Sequence, residues 1–197
     1  MPAMRKLHPH QEIVGLSGLS VEDFWIWAYS DMLENTVRNA FAEFLVGFVL
    51  GRLNSPRPGQ ESVGFLYREK RITVKAASYT QNKPQSKKSK INFDIAVKKK
   101  QQDFIDELDR DDAIRPSHCY VFCLFTYENY NDKDAARNAL LDTGHWVFYV
   151  VPTDTIDELL PDNKTVGVTW LDEHTEGGAT SYDQLKRRID EVLGFGE

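Results

Sequence analysis

From Trp146 to Val151 the chain reads Trp-Val-Phe-Tyr-Val-Val without a polar residue that can face water, and Pro152 ends the run. A strand that is apolar at every position, rather than at alternate ones, is covered on both faces. Cys119 to Tyr127 is a second run rich in aromatic and β-branched residues. These runs point to a sheet with layers on either side, and the remaining periodicities supply them. Ser20 with Asp23 three residues on marks a capped helix start. Phe24, Trp27, Ala28, Val37, Ala40, Phe41, Phe44, Leu45 and Phe48 then recur at helical spacing. The spacing predicts a long helix, broken near Ser30 and ending before Pro56. Strands are expected over 63–67, 71–79, 91–97 and 119–127 as the centre of the sheet, with 146–151 and a short strand over 166–170. Helices are expected over 98–112, 132–141 and 181–193. The order gives an α/β fold, a mixed β-sheet flanked by α-helices, in a single domain over residues 1–197.

Charge is distributed unevenly. Residues 66–100 hold 11 basic and 2 acidic side chains, whereas residues 101–197 hold 8 and 21. A surplus of nine positive charges inside a chain of net charge −6 suggests one local anion-facing surface or a solvated loop. No apolar stretch is long enough to cross a bilayer, and no signal peptide follows the N-terminus, so a cytoplasmic location is expected. Cys119 and Cys123, the only cysteines, would lie about 13 Å apart on one strand and cannot bridge.

Chemistry concentrates in Arg71-Ile72-Thr73-Val74-Lys75-Ala76-Ala77-Ser78-Tyr79-Thr80-Gln81. Strand alternation puts Ile72, Val74 and Ala76 on one face and Thr73, Lys75 and Ala77 on the other. A lysine flanked by small residues has open space in front of it, or is simply an exposed edge residue. Glu43 projects from a helical patch made of Asn39, Ala40, Val46, Gly47 and Leu50. It must therefore find a partner, bind a proton, or line a cleft.

These segments resemble the PD-(D/E)XK restriction-endonuclease-like family, and most closely a bacterial and phage subfamily of it. The resemblance is carried by Leu19-Ser20, Asp23-Phe24-Trp25, Trp27-Ala28, Ser30-Asp31, Asn35-Thr36, Arg38 and Ala42 to Val46. It extends through Ile72 to Gln81, Ser89 to Phe93 and Trp146 to Pro152. It implies a restriction-endonuclease-like fold, with Lys75 as the catalytic lysine, Gln81 as the glutamine after the strand and Glu43 as the helix acid facing Lys75. The first metal-binding Asp of the pattern falls at Gly64, and the acid of Glu-x-Lys falls at Thr73. Two carboxylates normally hold Mg²⁺ against a phosphate and activate water. Here the pair is a glycine and a neutral hydroxyl, so no metal cofactor is expected, and the acid positions are vestigial.

Three readings stay open. The first is a nuclease-fold protein without metal-dependent cleavage that retains DNA binding through Lys83, Lys87, Lys88 and Lys90. The second is an active Mg²⁺-dependent endonuclease that recruits Glu61 and Asp94 beside Glu43. The third is an interaction module whose acidic C-terminal half meets a protein partner. Replacing Gly64 by Asp together with Thr73 by Glu is expected to restore part of a lost activity.

Overall fold

The computed structural model describes residues 5–57, 64–97 and 115–196. Glu61, Lys98 to Lys100 and the helix expected over 98–112 lie outside the described residues. The first expected helix is two. Helix α1 spans Val21–Tyr29, opened by a capping box in which Ser20 and Asp23 exchange hydrogen bonds. Helix α2 spans Asn35–Val49, and the Glu34 carboxylate caps it by accepting from the Thr36 and Val37 amides at 2.7 and 3.0 Å. Leu33, in the turn between them, is fully buried. Arg38 fixes that turn by donating to the Leu33 carbonyl at 2.8 Å and the Asn35 side chain at 2.6 Å. Its burial pulls the guanidinium pKa down to about 10, so it stays charged at neutral pH.

Strands β1 (Phe65–Tyr67) and β2 (Lys70–Ser78) form a hairpin around Arg68 and Glu69, both with positive φ. Two such residues give the turn whose twist matches paired strands. Strand β2 runs parallel to β4 (Cys119–Phe125), which pairs antiparallel with β5 (Trp146–Pro152). Among the described residues this is a four-stranded mixed sheet in the order β1-β2-β4-β5. Between β2 and β4 the chain forms β3 (Phe93–Asp94). Helix α3 (Lys133–Leu140) precedes β5, and α4 (Thr153–Leu159), β6 (Thr165–Val166), α5 (Val168–His174) and α6 (Leu185–Val192) follow it.

Both faces of the sheet are covered, as the apolar runs require. Ile72, Val74, Val121, Cys123, Phe148 and Val150 pack with residues of α2, α3 and α6. Tyr120, Phe122, Leu124, Tyr149 and Val151 pack on the other side with Phe93, Ile95, Ile156 and Leu171. At about 25 cal/mol per Å² of apolar surface, this double burial is the main stabilising term.

Two expectations need correction. Residues 91–97 are not a central strand. Only Phe93–Asp94 pairs, and it pairs with β6 in a separate two-stranded ladder under the second face. The alternation of Ile91, Phe93 and Ile95 is satisfied by packing beneath the sheet, all three being buried, and the fourth place in the sheet is taken by β5. Of residues 166–170 only Val166 is in a strand, as the end of β6, because α5 begins at Val168 and buries Leu171. Among the described residues no helix is long and apolar enough to cross a membrane.

Candidate functional site

Gly64, immediately before β1, abuts the carbonyl of Ile72 on β2. A Cβ built at Gly64 would lie 1.9 Å from that oxygen and 3.3 Å from the Cα of Thr73, and its φ is +22°. The position at which the resembled pattern has its first metal-binding Asp therefore has no volume for a side chain of any kind. Thr73 lies next along β2, half-buried.

Lys75 follows the alternation expected for it. Its strand partner is Phe122, which belongs to the second face, whereas its neighbours Val74 and Ala76 pack toward α2. The Lys75 ammonium reaches across to β3 and meets Asp94 Oδ2 at 3.0 Å. The lysine side chain is 24% exposed and the aspartate 56%. In such a half-open setting the pair is worth at most about 1 kcal/mol, but it fixes where the ammonium sits.

Glu43 has a different set of partners. Arg57 grips its carboxylate in a bidentate fork, Nε to Oε2 at 2.6 Å and Nη2 to Oε1 at 2.9 Å. Hydrogen bonding to Glu43 is the main cause that holds the Arg57 guanidinium above its ordinary value. The Asn39 amide donates to Oε1 at 2.8 Å, while its oxygen accepts the Ala76 amide of β2 at 3.1 Å. β1 pairs with β2 only from Lys70 to Ile72, so Asn39 serves an amide that lies beyond that ladder. The Glu43 charge is also felt at buried Cys123, on the face of the sheet that α2 covers. The expected approach of Glu43 to Lys75 does not occur as a contact. Their hydrogen bonds run to Arg57 and Asn39 in one case and to Asp94 in the other.

Gln81 is used locally. Its side-chain amide donates to the Ser78 carbonyl at 2.6 Å, and its backbone amide donates to the Gln85 side chain. Gln85 is the organiser of the basic segment, donating also to the Tyr79 carbonyl at 3.0 Å and Ser89 Oγ at 2.9 Å. Lys133 of α3 ties the segment down from outside, donating to the Gln81 and Lys83 carbonyls at 2.5 and 3.3 Å. Of the four lysines expected to face DNA, Lys88 is already engaged. Its ammonium lies 2.5 Å from Glu128 and 3.5 Å above the Tyr79 ring. Lys83, Lys87 and Lys90 are exposed, and among the described residues their ammonium groups make no ion pair.

Arg57, Asn39, Gln85 and Lys133 carry this arrangement, and none was singled out from the sequence. Each acts on a residue four to 52 positions away, and only the contact to Glu43 at helical i, i+4 spacing was legible for Asn39.

Among the described residues, those brought together here do not fit a Mg²⁺ ion. Gly64 offers no ligand, Thr73 only a neutral hydroxyl, Glu43 is neutralised by Arg57, and Asp94 faces the Lys75 ammonium. Among the described residues no three His, Cys, Asp or Glu side chains converge as a metal site would require. Compared with known proteins, the chain matches no family model, no curated protein and no solved structure.

Proposed function

We propose that this chain is a restriction-endonuclease-like, nuclease-fold protein without metal-dependent cleavage that holds DNA through the basic segment after β2. The observation that carries the reading is Gly64, where backbone contact excludes the side chain that would hold the metal. Charge supports it. A dication entering beside Thr73 and Lys75 would meet one carboxylate already balanced by an ammonium, and the remaining helix acid is locked to Arg57. The hairpin followed by a crossover to a parallel strand, with Lys75 on the second hairpin strand, is in keeping with the resembled pattern. Lys83, Lys87 and Lys90, exposed on a segment braced by Gln85, supply positive charge for backbone phosphates without reading sequence.

The test pairs a cleavage assay with a binding assay. Supercoiled plasmid incubated with Mg²⁺ or Mn²⁺ is expected to stay uncut. Duplex DNA is expected to bind weakly, without sequence preference and with steep salt dependence. Lys83→Ala with Lys87→Ala and Lys90→Ala should shallow the log K against log salt slope by about 2.7, which is 0.9 for each phosphate no longer neutralised. Wild-type cleavage that disappears in Lys75→Ala would instead establish an enzyme with rearranged acids. No duplex binding at low salt would remove DNA from the reading and favour an interaction module. That second reading has an observation of its own, since α1 leaves Phe24, Ile26 and Trp27 exposed at 48%, 59% and 83%.

A further inference from the structure

A groove of about 570 Å³ opens between the N-terminal segment, α1, α2 and the loop that follows α2. None of the lysines of the 81–90 segment lines it. Its walls combine two kinds of group. Trp25 and Tyr29, one turn apart on α1, and Phe44 of α2 present aromatic surface. Arg5, Arg52 and Arg57 present guanidinium groups, with Lys6 beside them. Among the described residues Glu43 is the single acidic residue of the lining.

The charges are not equivalent. Arg57 is spent on Glu43, and the Lys6 ammonium donates to the Leu53 carbonyl. Among the described residues the guanidiniums of Arg5 and Arg52 have no ion pair or hydrogen bond, and both residues are exposed. The groove therefore offers two uncommitted cations forked for phosphate geometry, with planar rings beside them. Trp25 is 36% exposed and Tyr29 49% exposed, so ring surface remains open to a ligand. A purely apolar occupant would leave Arg5 and Arg52 facing it, while an inorganic anion would leave the aromatic walls unused. An occupant that carries both a planar ring and a phosphate uses both sets.

We infer that this groove binds a nucleoside phosphate, its base against Trp25 and Tyr29 and its phosphate on Arg5 and Arg52. Stacking is tolerant of base identity because every base has a π-face, so the site is not sequence-selective. The groove holds about one nucleotide unit, which a single-stranded end or a free nucleotide can supply. The inference goes beyond the proposed function, since it concerns another surface and does not need the basic segment.

Fluorescence anisotropy with a labelled single-stranded oligothymidylate, with thymidine monophosphate as competitor, tests it. The oligonucleotide is expected to bind at low salt, and Trp25→Ala to weaken it about tenfold while Trp25→Phe retains most of the affinity. Arg5→Ala with Arg52→Ala should shallow the single-strand salt slope by about 1.4, at 0.7 per phosphate. Competition by the mononucleotide assigns the site to free nucleotides. Its failure to compete assigns the site to strand segments. Lys83→Ala with Lys87→Ala and Lys90→Ala should leave the Trp25-dependent component unchanged, which separates this test from that of the duplex surface. Circular dichroism melts of each variant confirm folding. Two results overturn the inference. One is the absence of binding by either probe, including the case in which only anionic vesicles of phosphatidylserine bind. The other is binding that folded Trp25→Ala and Arg5→Ala/Arg52→Ala proteins retain in full.

Discussion

Replacing Gly64 by alanine should destabilise the protein severely, and the structure allows the cost to be estimated. The new Cβ would lie 1.9 Å from the Ile72 carbonyl oxygen, where ordinary contact begins near 3.4 Å, so the two backbones must separate by about 1.5 Å. Ile72 is the partner of Phe65 in the β1–β2 register, and that separation opens the hairpin where it joins the sheet. The positive φ of +22° adds its own penalty for a residue with a Cβ. Strain of the left-handed kind costs about 1–3 kcal/mol, and overpacking a further ~1–3 kcal/mol. The total of about 2–6 kcal/mol is a large part of the ~5–15 kcal/mol that holds a domain together. Urea unfolding followed by tryptophan fluorescence should show the midpoint fall by about 1–3 M, taking an m-value of ~2 kcal/mol/M. A Gly64→Ala midpoint within about 0.3 M of the wild type would refute the steric argument. The same reasoning reverses the expectation for Gly64→Asp with Thr73→Glu. That double variant should lose the fold rather than gain cleavage, while Thr73→Glu alone remains folded. A folded double variant that nicks plasmid DNA with Mg²⁺ would show that the hairpin can yield to admit the side chain.

The Arg115 side chain, 1% exposed, donates to the carbonyls of Ile95, Leu160, Pro161 and Asn163 and pairs with Asp157 at 2.5 Å. Arg115→Met should cost about 1–3 kcal/mol in urea unfolding by leaving acceptors such as the Ile95 carbonyl without their donor, and a loss below ~0.5 kcal/mol would contradict the assigned role. Burial pushes the Cys119 thiol up to about 12 and Cys123 in the same direction. In the unfolded chain these thiols ionise near 9, so the unfolded state releases protons first and stability should fall as pH rises from about 9 to 12. Cys119→Ala with Cys123→Ala should flatten that decline, and native protein at pH 8 should resist a thiol-specific reagent until unfolded. Glu128→Gln should release Lys88 from its ion pair. The duplex-DNA salt slope should then steepen by about 0.9, and an unchanged slope would place Lys88 away from the DNA.

Much of the architecture was legible because burial writes a period into the chain. The apolar runs at 119–127 and 146–151 contain the two-sided strands β4 and β5, and the alternation around Lys75 correctly divided β2 between the two layers. Ser20 and Asp23 announced α1 through chemistry confined to four residues. Local signals failed where the elements are short. A two-residue strand such as β3 has no period, and its buried Ile91, Phe93 and Ile95 look the same whether they lie within a sheet or under one. Helix α5 begins with β-branched Val168 and Thr169, whose strand preference is outweighed by the burial of Leu171. Helix α4, seven residues with no side-chain cap, left no signal at all.

The site divides along the same line. Sequence alone determined which functional groups the hairpin and its flanking helix could carry, a lysine at 75, a hydroxyl at 73, an acid at 43 and nothing at 64. Tertiary structure alone decided whom they meet. Arg57 lies 14 residues from Glu43 and Asp94 lies 19 from Lys75, distances along the chain at which no periodicity links partners. The sequence shows that Gly64 contributes no ligand, but the closed space at that position is made by the Ile72 carbonyl on the neighbouring strand. Residue type is a property of the chain, whereas the room around a residue belongs to whatever folds against it.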